Sequence, residues 1–196
     1  MIGMSELLLE EEMTPAQHDS VRKILRSGEI LLKMVGDVLD IGKVEAGKLE
    51  LDIQPFALAD LVTDATIMFR TAASKKGLKF NEETSNLYRG EVMGDLPRMR
   101  QVLLNFLANS VKFTKQGFIT LQVRQDGETA SSIRVRFVVE DSGIGIAKNT
   151  LPILFQAFQQ ADSTTSREHG GTGLGLVISK RVSRSTSSCA LHSRVS

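Results

Sequence analysis

The sequence predicts an α+β fold in which a long helix precedes one mixed β-sheet that helices cover on one face. Through residues 16–46, apolar residues repeat about every 3.5 positions, as in the seam of a helical bundle. Apolar stripes at helical spacing follow over 57–75 and 98–112, while 117–125 and 133–140 alternate apolar with polar residues, as half-buried strands do. Helices and strands in this mixed order favour one sheet with helices on one face.

Composition limits the classes of protein to consider. The 196 residues are 41% hydrophobic and 24% charged, as in soluble globular proteins. A net charge of +1 argues against a nucleic-acid or anionic-membrane partner. The single cysteine, Cys189, excludes an intrachain disulfide and suits a reducing compartment such as the cytoplasm. Because no apolar run approaches the roughly 20 residues of a membrane span, we expect no membrane segment in this chain.

The long helix has a clear beginning. Thr14 is a typical N-cap, Pro15 suits the first helical position, and Gln17 stands where a capping box places its partner. The apolar stripe that follows is wider than one partner helix would cover. We therefore expect two chains to bury it in a four-helix bundle, as a homodimer formed through helix 16–46.

The elements after the long helix are shorter. Leu49, Leu51 and Ile53 alternate as a strand that Pro55 stops. Gly77 ends the amphipathic helix 57–75, and a short strand follows at Leu78–Glu82. Before the next helix, Asp95 or a neighbouring residue can act as the cap.

That next helix presents the first candidate motif. Asn105, Asn109 and Lys112 are spaced i, i+4 and i+7, so their side chains share one face. Neutral amide oxygens suit Mg²⁺, and a lysine suits phosphate. A solvated polar helix face is the alternative interpretation.

The second motif follows the strand 133–140. Asp141 stands at its end, and Gly143 and Gly145 come directly after. A carboxylate there can accept a hydrogen bond from an amine such as that of adenine, and glycine lets backbone approach a ligand closely. An ordinary Asp-Ser-Gly turn would give the same pattern.

The third motif is the glycine-rich run 170–176, which leads into an apolar helix. Backbone N–H groups at a helix start favour anions. Because no Gly-Lys-Ser/Thr follows and no βαβ unit surrounds it, the run is neither a P-loop nor a dinucleotide-binding turn.

Together these motifs resemble the kinase core of sensor histidine kinases, of the type found in hybrid kinases. Residues 105–114 resemble the N box of that family, 141–146 its G1 box, 154–158 its F box and 171–176 its G2 box. The resemblance reaches to about Val182. It implies a two-layer α/β sandwich of the Bergerat type that binds ATP and Mg²⁺.

The resemblance also implies a function and a set of residues. Such kinases transfer the γ-phosphoryl group of ATP to a histidine, from which it passes to a response-regulator receiver domain. The nucleotide-binding residues expected on this basis are Asn105, Asn109, Lys112, Asp141, Gly143, Gly145, Ile146, Phe158, Gly171, Thr172, Gly173, Leu174, Gly175 and Leu176. Asn109 is the expected metal ligand with Asn105 in support, and no residue is assigned a certain catalytic role.

The resemblance divides the chain into three parts. Residues 1–48 correspond to part of a dimerisation and phosphotransfer hairpin, 49–182 to the ATP-binding domain, and the Ser-rich 183–196 to an atypical tail that we expect to be disordered. The phosphoacceptor box of relatives would lie upstream of Met1. Since His18 is read as an ordinary surface histidine, we expect a truncated product that does not phosphorylate itself.

Two other interpretations remain open. The chain could be a non-catalytic dimerisation and ATP-binding fragment that modulates full-length kinases. It could also belong to another ATPase class that shares this pocket, such as a chaperone or mismatch-repair ATPase. Members of that class typically have a glutamate at the position of Asn105 and lack the dimerisation hairpin.

Overall fold

The computed structural model describes residues 2–46, 50–85, 87–88, 90–129, 132–147, 150, 179 and 189–194, the last range as backbone only. The chain divides into two compact units, Met1–Leu49 and Glu50–Ser196. None of the described helices has an apolar stretch long enough to cross a membrane.

The first unit contains helix α1, Ile2–Leu9, and helix α2, Pro15–Glu45. The predicted capping box at the start of α2 is confirmed: the Thr14 N–H donates to Gln17 Oε1 at 3.0 Å, and the Gln17 N–H donates to Thr14 Oγ1 at 3.4 Å. Where α1 packs on α2, a Cβ at Gly28 would lie 3.0 Å from the Ile2 side chain. Glycine at this position therefore permits the close approach.

Much of the apolar stripe of α2 is exposed within this unit. Leu32 is 64% exposed and Leu39 61% exposed. The other large apolar residues of α2 that remain exposed are Ile24, Ile30, Leu31, Met34, Val35 and Val38. Their heptad-like spacing is that of a seam, but α1 covers only part of α2.

The second unit has two helices and six strands among its described residues. In chain order they are β1 Gln54–Ala57, α3 Leu58–Lys75, β2 Lys79–Ser85, β3 Glu91–Gly94, α4 Leu96–Phe113, β4 Phe118–Glu128, β5 Ile133–Asp141 and β6 Cys189–Arg194. The bounds of α3 and α4 confirm the helices predicted from the apolar stripes. The left-handed φ of 71° at Gly77 suits the turn predicted after α3.

The larger sheet has the strand order β2-β4-β5-β6. Strand β4 runs parallel to β2 and antiparallel to β5, and β6 runs parallel to β5, so the sheet is mixed. Its inward-facing residues pack with those of α3 and α4 into one core. Those from β4 and β5 are Ile119, Leu121, Val123, Val135, Phe137 and Val139. The predicted two-layer fold, with the sheet covered by helices, is thereby confirmed.

The predicted cap of α4 is also confirmed. One oxygen of the buried Asp95 side chain accepts the Arg98 N–H at 3.0 Å, and the other accepts the Asp52 N–H at 3.1 Å. The carboxylate therefore starts α4 and ties the segment before β1 to it.

Strand β1 corrects one prediction. The sequence predicts a strand over residues 49–53 that Pro55 stops, yet β1 begins at Gln54 and includes Pro55 opposite Met93 of β3. Proline is tolerated because these strands form a separate two-stranded sheet, in which an edge position requires no N–H donor. Strand β3 itself is not predicted, because four residues give too short an alternation.

The C-terminal segment differs from expectation as well. The sequence predicts disorder over residues 183–196, but Cys189–Arg194 form β6, with Phe137 of β5 paired with Leu191. The parallel neighbour β5 offers a row of backbone donors and acceptors, which six residues can join without a marked apolar alternation. Residues 183–188, 195 and 196 lie outside the described part of the chain.

Candidate functional site

Asp141 stands at the last position of β5, and its carboxylate is held by two elements. Its Oδ2 accepts a hydrogen bond from the buried Ser110 hydroxyl of α4 at 3.0 Å. Its Oδ1 accepts the Gly143 N–H at 2.9 Å and lies 3.5 Å from the Thr114 hydroxyl just after α4. Because these donors come from α4 and from the turn after β5, they fix the orientation of the half-buried carboxylate.

The turn after β5 leaves no room for a side chain at Gly143. A Cβ there would lie 2.7 Å from Asp141 Oδ1, 2.8 Å from the Phe113 carbonyl oxygen and 3.0 Å from Thr114 Oγ1. Gly145 has a φ of 68°, a conformation that glycine adopts without steric cost. The local backbone geometry therefore explains the presence of both glycines without a ligand. Gly143 also brings the backbone close to Asp141.

A second connection fixes this turn to β4. The Phe118 N–H donates to Ser142 Oγ at 2.8 Å, and the Ser142 N–H donates to the Phe118 carbonyl at 3.1 Å. Gly117 has a φ of 110°, and a Cβ on it would collide with the Ser142 hydroxyl. The residues that follow Asp141, up to the half-buried Ile146, thus leave the sheet from a well-fixed start.

Helix α4 places Asn105, Asn109 and Lys112 on one face, and all three side chains are half-buried. Ser110, the residue after Asn109, is the one that binds Asp141. The structure therefore brings the last turn of α4, through Ser110, next to Asp141 at the end of β5.

Asn105 has a partner that the sequence does not suggest. Its side-chain Nδ2 donates to the hydroxyl of Ser179 at 3.2 Å, and Ser179 is only 2% exposed. Ser179 follows the glycine-rich run by three residues. This hydrogen bond connects α4 to the segment after that run and engages the donor end of the Asn105 amide.

Lys112 lies at the end of α4, with its Nζ 4.7 Å from the centroid of the Phe113 ring. Burial lowers the pKa of the Lys112 ammonium below its ordinary value. A partly desolvated cation on the same helix face as the Asn109 amide is suited to an anionic ligand, which would replace the lost hydration.

Comparison with known protein families identifies the chain. Residues 94–195 match the family described as histidine kinase-, DNA gyrase B- and HSP90-like ATPases, and this match covers more than half of the sequence. The chain belongs to this ATPase family. Its α+β fold agrees with that assignment.

Several curated relatives of this ATPase-family chain are sensor kinases. Sensor protein GacS of Pseudomonas syringae pv. syringae is 43% identical over 93% of the chain. Signal transduction histidine-protein kinase BarA of Escherichia coli K12 is 38% identical over 93% of the chain. The chain spans only 20% of the length of each of these two relatives.

Solved structures agree with the fold of the ATPase-family chain. Full-length ShkA in complex with AMPPNP is similar over 93% of this chain and 37% of its own, with a TM-score of 0.70 and 34% identity. Histidine kinase AdeS of Acinetobacter baumannii covers 92% of this chain and 79% of its own, with a TM-score of 0.59 and 21% identity. The second likeness supports the fold alone.

Half of the predicted site residues lie outside the part of the chain that the structure describes. These are Phe158, Gly171, Thr172, Gly173, Leu174, Gly175 and Leu176. The loop 156–170, with Arg167, also lies outside them. The described part of the site is therefore the part that α4, β5 and the turn after β5 build.

Three residues at this site are missed by sequence reasoning: Ser110, Thr114 and Ser179. Ser110 lies in the last turn of α4 and Thr114 directly follows that helix, and both are buried at positions where a purely structural role would favour apolar side chains. The signal that could have found them is a pair of hydroxyl residues, four positions apart, at buried positions next to the predicted ligand-binding face. Ser179 has no comparable signal, because its partner lies 74 residues away.

Proposed function

We propose that this chain is the ATP-binding catalytic core of a two-component sensor histidine kinase. One observation carries the proposal. The Asp141 carboxylate at the end of β5 accepts a hydrogen bond from Ser110, the neighbour of Asn109 on α4, and this supports an adenine-type acceptor close to a phosphate- and metal-binding helix. The similarity to GacS and BarA makes a kinase more plausible than the other ATPases of the family.

Each residue of the site then has a role. Asp141 accepts a hydrogen from the exocyclic amine of adenine. Asn109 offers its amide oxygen to the metal, and Lys112 binds phosphate as a point charge. Asn105 supports this face, since the bond from its Nδ2 to Ser179 fixes the amide and leaves Oδ1 as an acceptor. Gly143, Gly145 and Ile146 shape the wall beside the base.

The remaining predicted contacts belong to the glycine-rich motif. Phe158 and residues 171–176 are proposed to contact the nucleotide as well, with backbone N–H groups of Gly171, Gly173 and Gly175 binding the phosphates.

The amide side chains at this site suit Mg²⁺, which shares its ligands with water and phosphate, better than they suit a metal ion that the protein alone coordinates. Among the described residues there is no cluster of three or more His, Cys, Asp or Glu side chains that would cage an ion. Mg²⁺ usually keeps several waters and is shared with substrate phosphates, so one neutral amide oxygen from Asn109, supported by Asn105, is sufficient. When bound, the ion neutralises charge on the phosphates.

The acceptor of the γ-phosphoryl group is proposed to be a histidine imidazole, with a response-regulator receiver domain as the next partner. Several relatives are described as sensor, signal transduction or hybrid signal transduction histidine kinases, which supports this order of transfer. Catalysis would consist mainly of positioning and charge neutralisation. Because the reaction uses ATP, we place the chain in the cytoplasm.

We further propose that the chain forms a homodimer through α2. The exposed leucines and β-branched residues of α2 recur at seam spacing, and a second copy would bury them. Light scattering of the purified chain tests this: we expect a dimer that Leu32→Glu converts to a monomer. Arg26→Glu, a charge change on α2 outside the seam, is the control and should leave the dimer intact.

A non-catalytic role as a dimerisation fragment is the second candidate, favoured only by that exposed stripe. Taken as a pairing module alone, without the ATP-binding part of that alternative, it predicts a dimer without nucleotide binding. The kinase proposal predicts that Mg²⁺-AMPPNP binds the chain and raises its melting temperature.

Titration calorimetry with Mg²⁺-AMPPNP decides between the two roles. We expect Asp141→Asn to weaken binding by tenfold or more, because a charge-assisted acceptor is lost, at roughly 1.5–3 kcal/mol. Asp64→Asn removes an exposed carboxylate of α3 that pairs with Arg100 at 2.8 Å and is the matched control. Equal affinities for the wild type and Asp141→Asn would refute the proposed site.

A further inference from the structure

The two oxygens of the Asp141 carboxylate have different surroundings. An ionised carboxylate offers about four acceptor directions, two on each oxygen. On Oδ1, the Gly143 N–H takes one direction at 2.9 Å and the Thr114 hydroxyl faces the other at 3.5 Å. On Oδ2, the Ser110 hydroxyl takes one direction at 3.0 Å.

The space around Oδ1 is also closed. A single added carbon at Gly143 would collide at once with Oδ1, with the Phe113 carbonyl oxygen and with Thr114 Oγ1, so these groups already surround one small volume. Thr114 is fully buried, and among the described residues Asp141 is the acceptor of its hydroxyl. Since a buried hydroxyl requires a partner, Thr114 is expected to stay directed at Oδ1.

Purine bases differ in the number of adjacent hydrogen-bond donors that they present to a carboxylate. Guanine presents two adjacent donors, its ring N1–H and its exocyclic amine, which bind a carboxylate as a pair with one hydrogen on each oxygen. Adenine presents its exocyclic amine beside a ring nitrogen that only accepts. A carboxylate with one open oxygen can therefore satisfy adenine but would leave one guanine donor without a partner.

We propose that Thr114 is a specificity-determining residue that closes Oδ1 of Asp141, so that the site accepts adenine and rejects guanine nucleotides. The inference rests on the proposed function, in which Asp141 receives the base. In this arrangement Ser110 orients the carboxylate through Oδ2, while Thr114 and the Gly143 N–H decide how many hydrogens a base can give it.

The test compares the affinities of Mg²⁺-AMPPNP and Mg²⁺-GMPPNP by titration calorimetry on the full chain. In Thr114→Ala, Oδ1 keeps the Gly143 N–H but regains one acceptor direction, and we expect the preference for the adenine nucleotide to fall by roughly tenfold, the equivalent of one hydrogen bond gained by guanine. Thr114→Ser keeps the hydroxyl and should retain the wild-type preference.

Ser110→Ala is the matched comparison, because it removes a donor from the same carboxylate without opening Oδ1. It should weaken both nucleotides and leave their ratio within about twofold, whereas an equal loss of preference in Ser110→Ala and Thr114→Ala would overturn the proposal. An unchanged ratio in Thr114→Ala would overturn it as well.

Two further measurements keep the inference separate from folding and from the proposed function. If circular dichroism shows that Thr114→Ala does not fold, Thr114→Cys, which has a weaker donor, should lower the preference by a smaller factor, and a preference equal to that of the wild type contradicts the role. A wild-type chain that binds neither nucleotide contradicts the proposed function itself, whereas one that binds both equally contradicts only the specificity argument.

Discussion

Replacing Gly143 by alanine would place a Cβ in the crowded space beside the Asp141 carboxylate. The added Cβ would stand 2.7 Å from Asp141 Oδ1 and 2.8 Å from the Phe113 carbonyl oxygen, both closer than real Cβ atoms approach. Because one of these neighbours is backbone at the end of α4, the turn must move away from the helix. The Gly143 N–H bond to Asp141, now 2.9 Å, would then lengthen or break.

This steric conflict sets the expected loss of unfolding free energy and of nucleotide affinity. Overpacking by one carbon typically costs about 1–3 kcal/mol, which lowers the melting temperature of a domain of this size by roughly 2–10 °C. We expect the affinity for Mg²⁺-AMPPNP to fall by roughly tenfold or more, because Asp141 loses the donor that orients Oδ1. Thermal melts with and without nucleotide, together with calorimetry, measure both effects.

Gly127→Ala is the matched control for this prediction. It adds the same carbon in the same unit, at a position where no heavy atom lies within 4 Å of the new Cβ. It should leave affinity unchanged and alter the melting temperature only slightly. A Gly143→Ala chain with the melting temperature and nucleotide affinity of the control would show that the crowding around Asp141 is not real.

Three other predictions concern a charged residue, a helix cap and a glycine inside a helix. Lys112→Met should weaken Mg²⁺-AMPPNP roughly tenfold. Because burial lowers the pKa of Lys112, the pH also affects stability. The unfolding free energy of the ligand-free wild type, measured relative to this variant, should rise as the pH approaches the ordinary lysine value of 10.5 from below. A fall of this difference in urea titrations would contradict the desolvation of Lys112. Asp95→Ala should cost about 2 kcal/mol or more in urea denaturation, since it removes the acceptor of two backbone N–H groups, whereas loss of the exposed Asp60 carboxylate should cost far less. Gly36→Ala should stabilise the chain by about 0.5–1 kcal/mol, since nothing lies within 4 Å of the added carbon, and a lower melting temperature would show that α2 is crowded there.

The sequence predicts those parts of the fold that have long periodic patterns. Helices α3 and α4 and the hairpin of β4 and β5 each bury one face over many residues, and α2 has a long apolar stripe at helical spacing, so hydrophobic periodicity alone locates them. The shortest strands are not predicted by this periodicity. Strand β3 and the segment of β1 around Pro55 are four residues long and are set by pairing with each other rather than by their own pattern.

The candidate site is predictable to the same extent. Asn105, Asn109 and Asp141 can be proposed from the sequence because helical spacing and a strand end show directly where these polar groups lie. Ser110 and Thr114 are not found, because their role depends on which residues of α4 face the end of β5, and only the tertiary packing settles that.

A crystal structure of this chain with Mg²⁺ and AMPPNP tests the central claim most directly. The account predicts that the exocyclic amine of adenine lies within about 3.2 Å of Asp141 Oδ2, with the phosphates on the side of Asn109 and Lys112. A nucleotide bound elsewhere, or an adenine amine that contacts neither oxygen of Asp141, would contradict it.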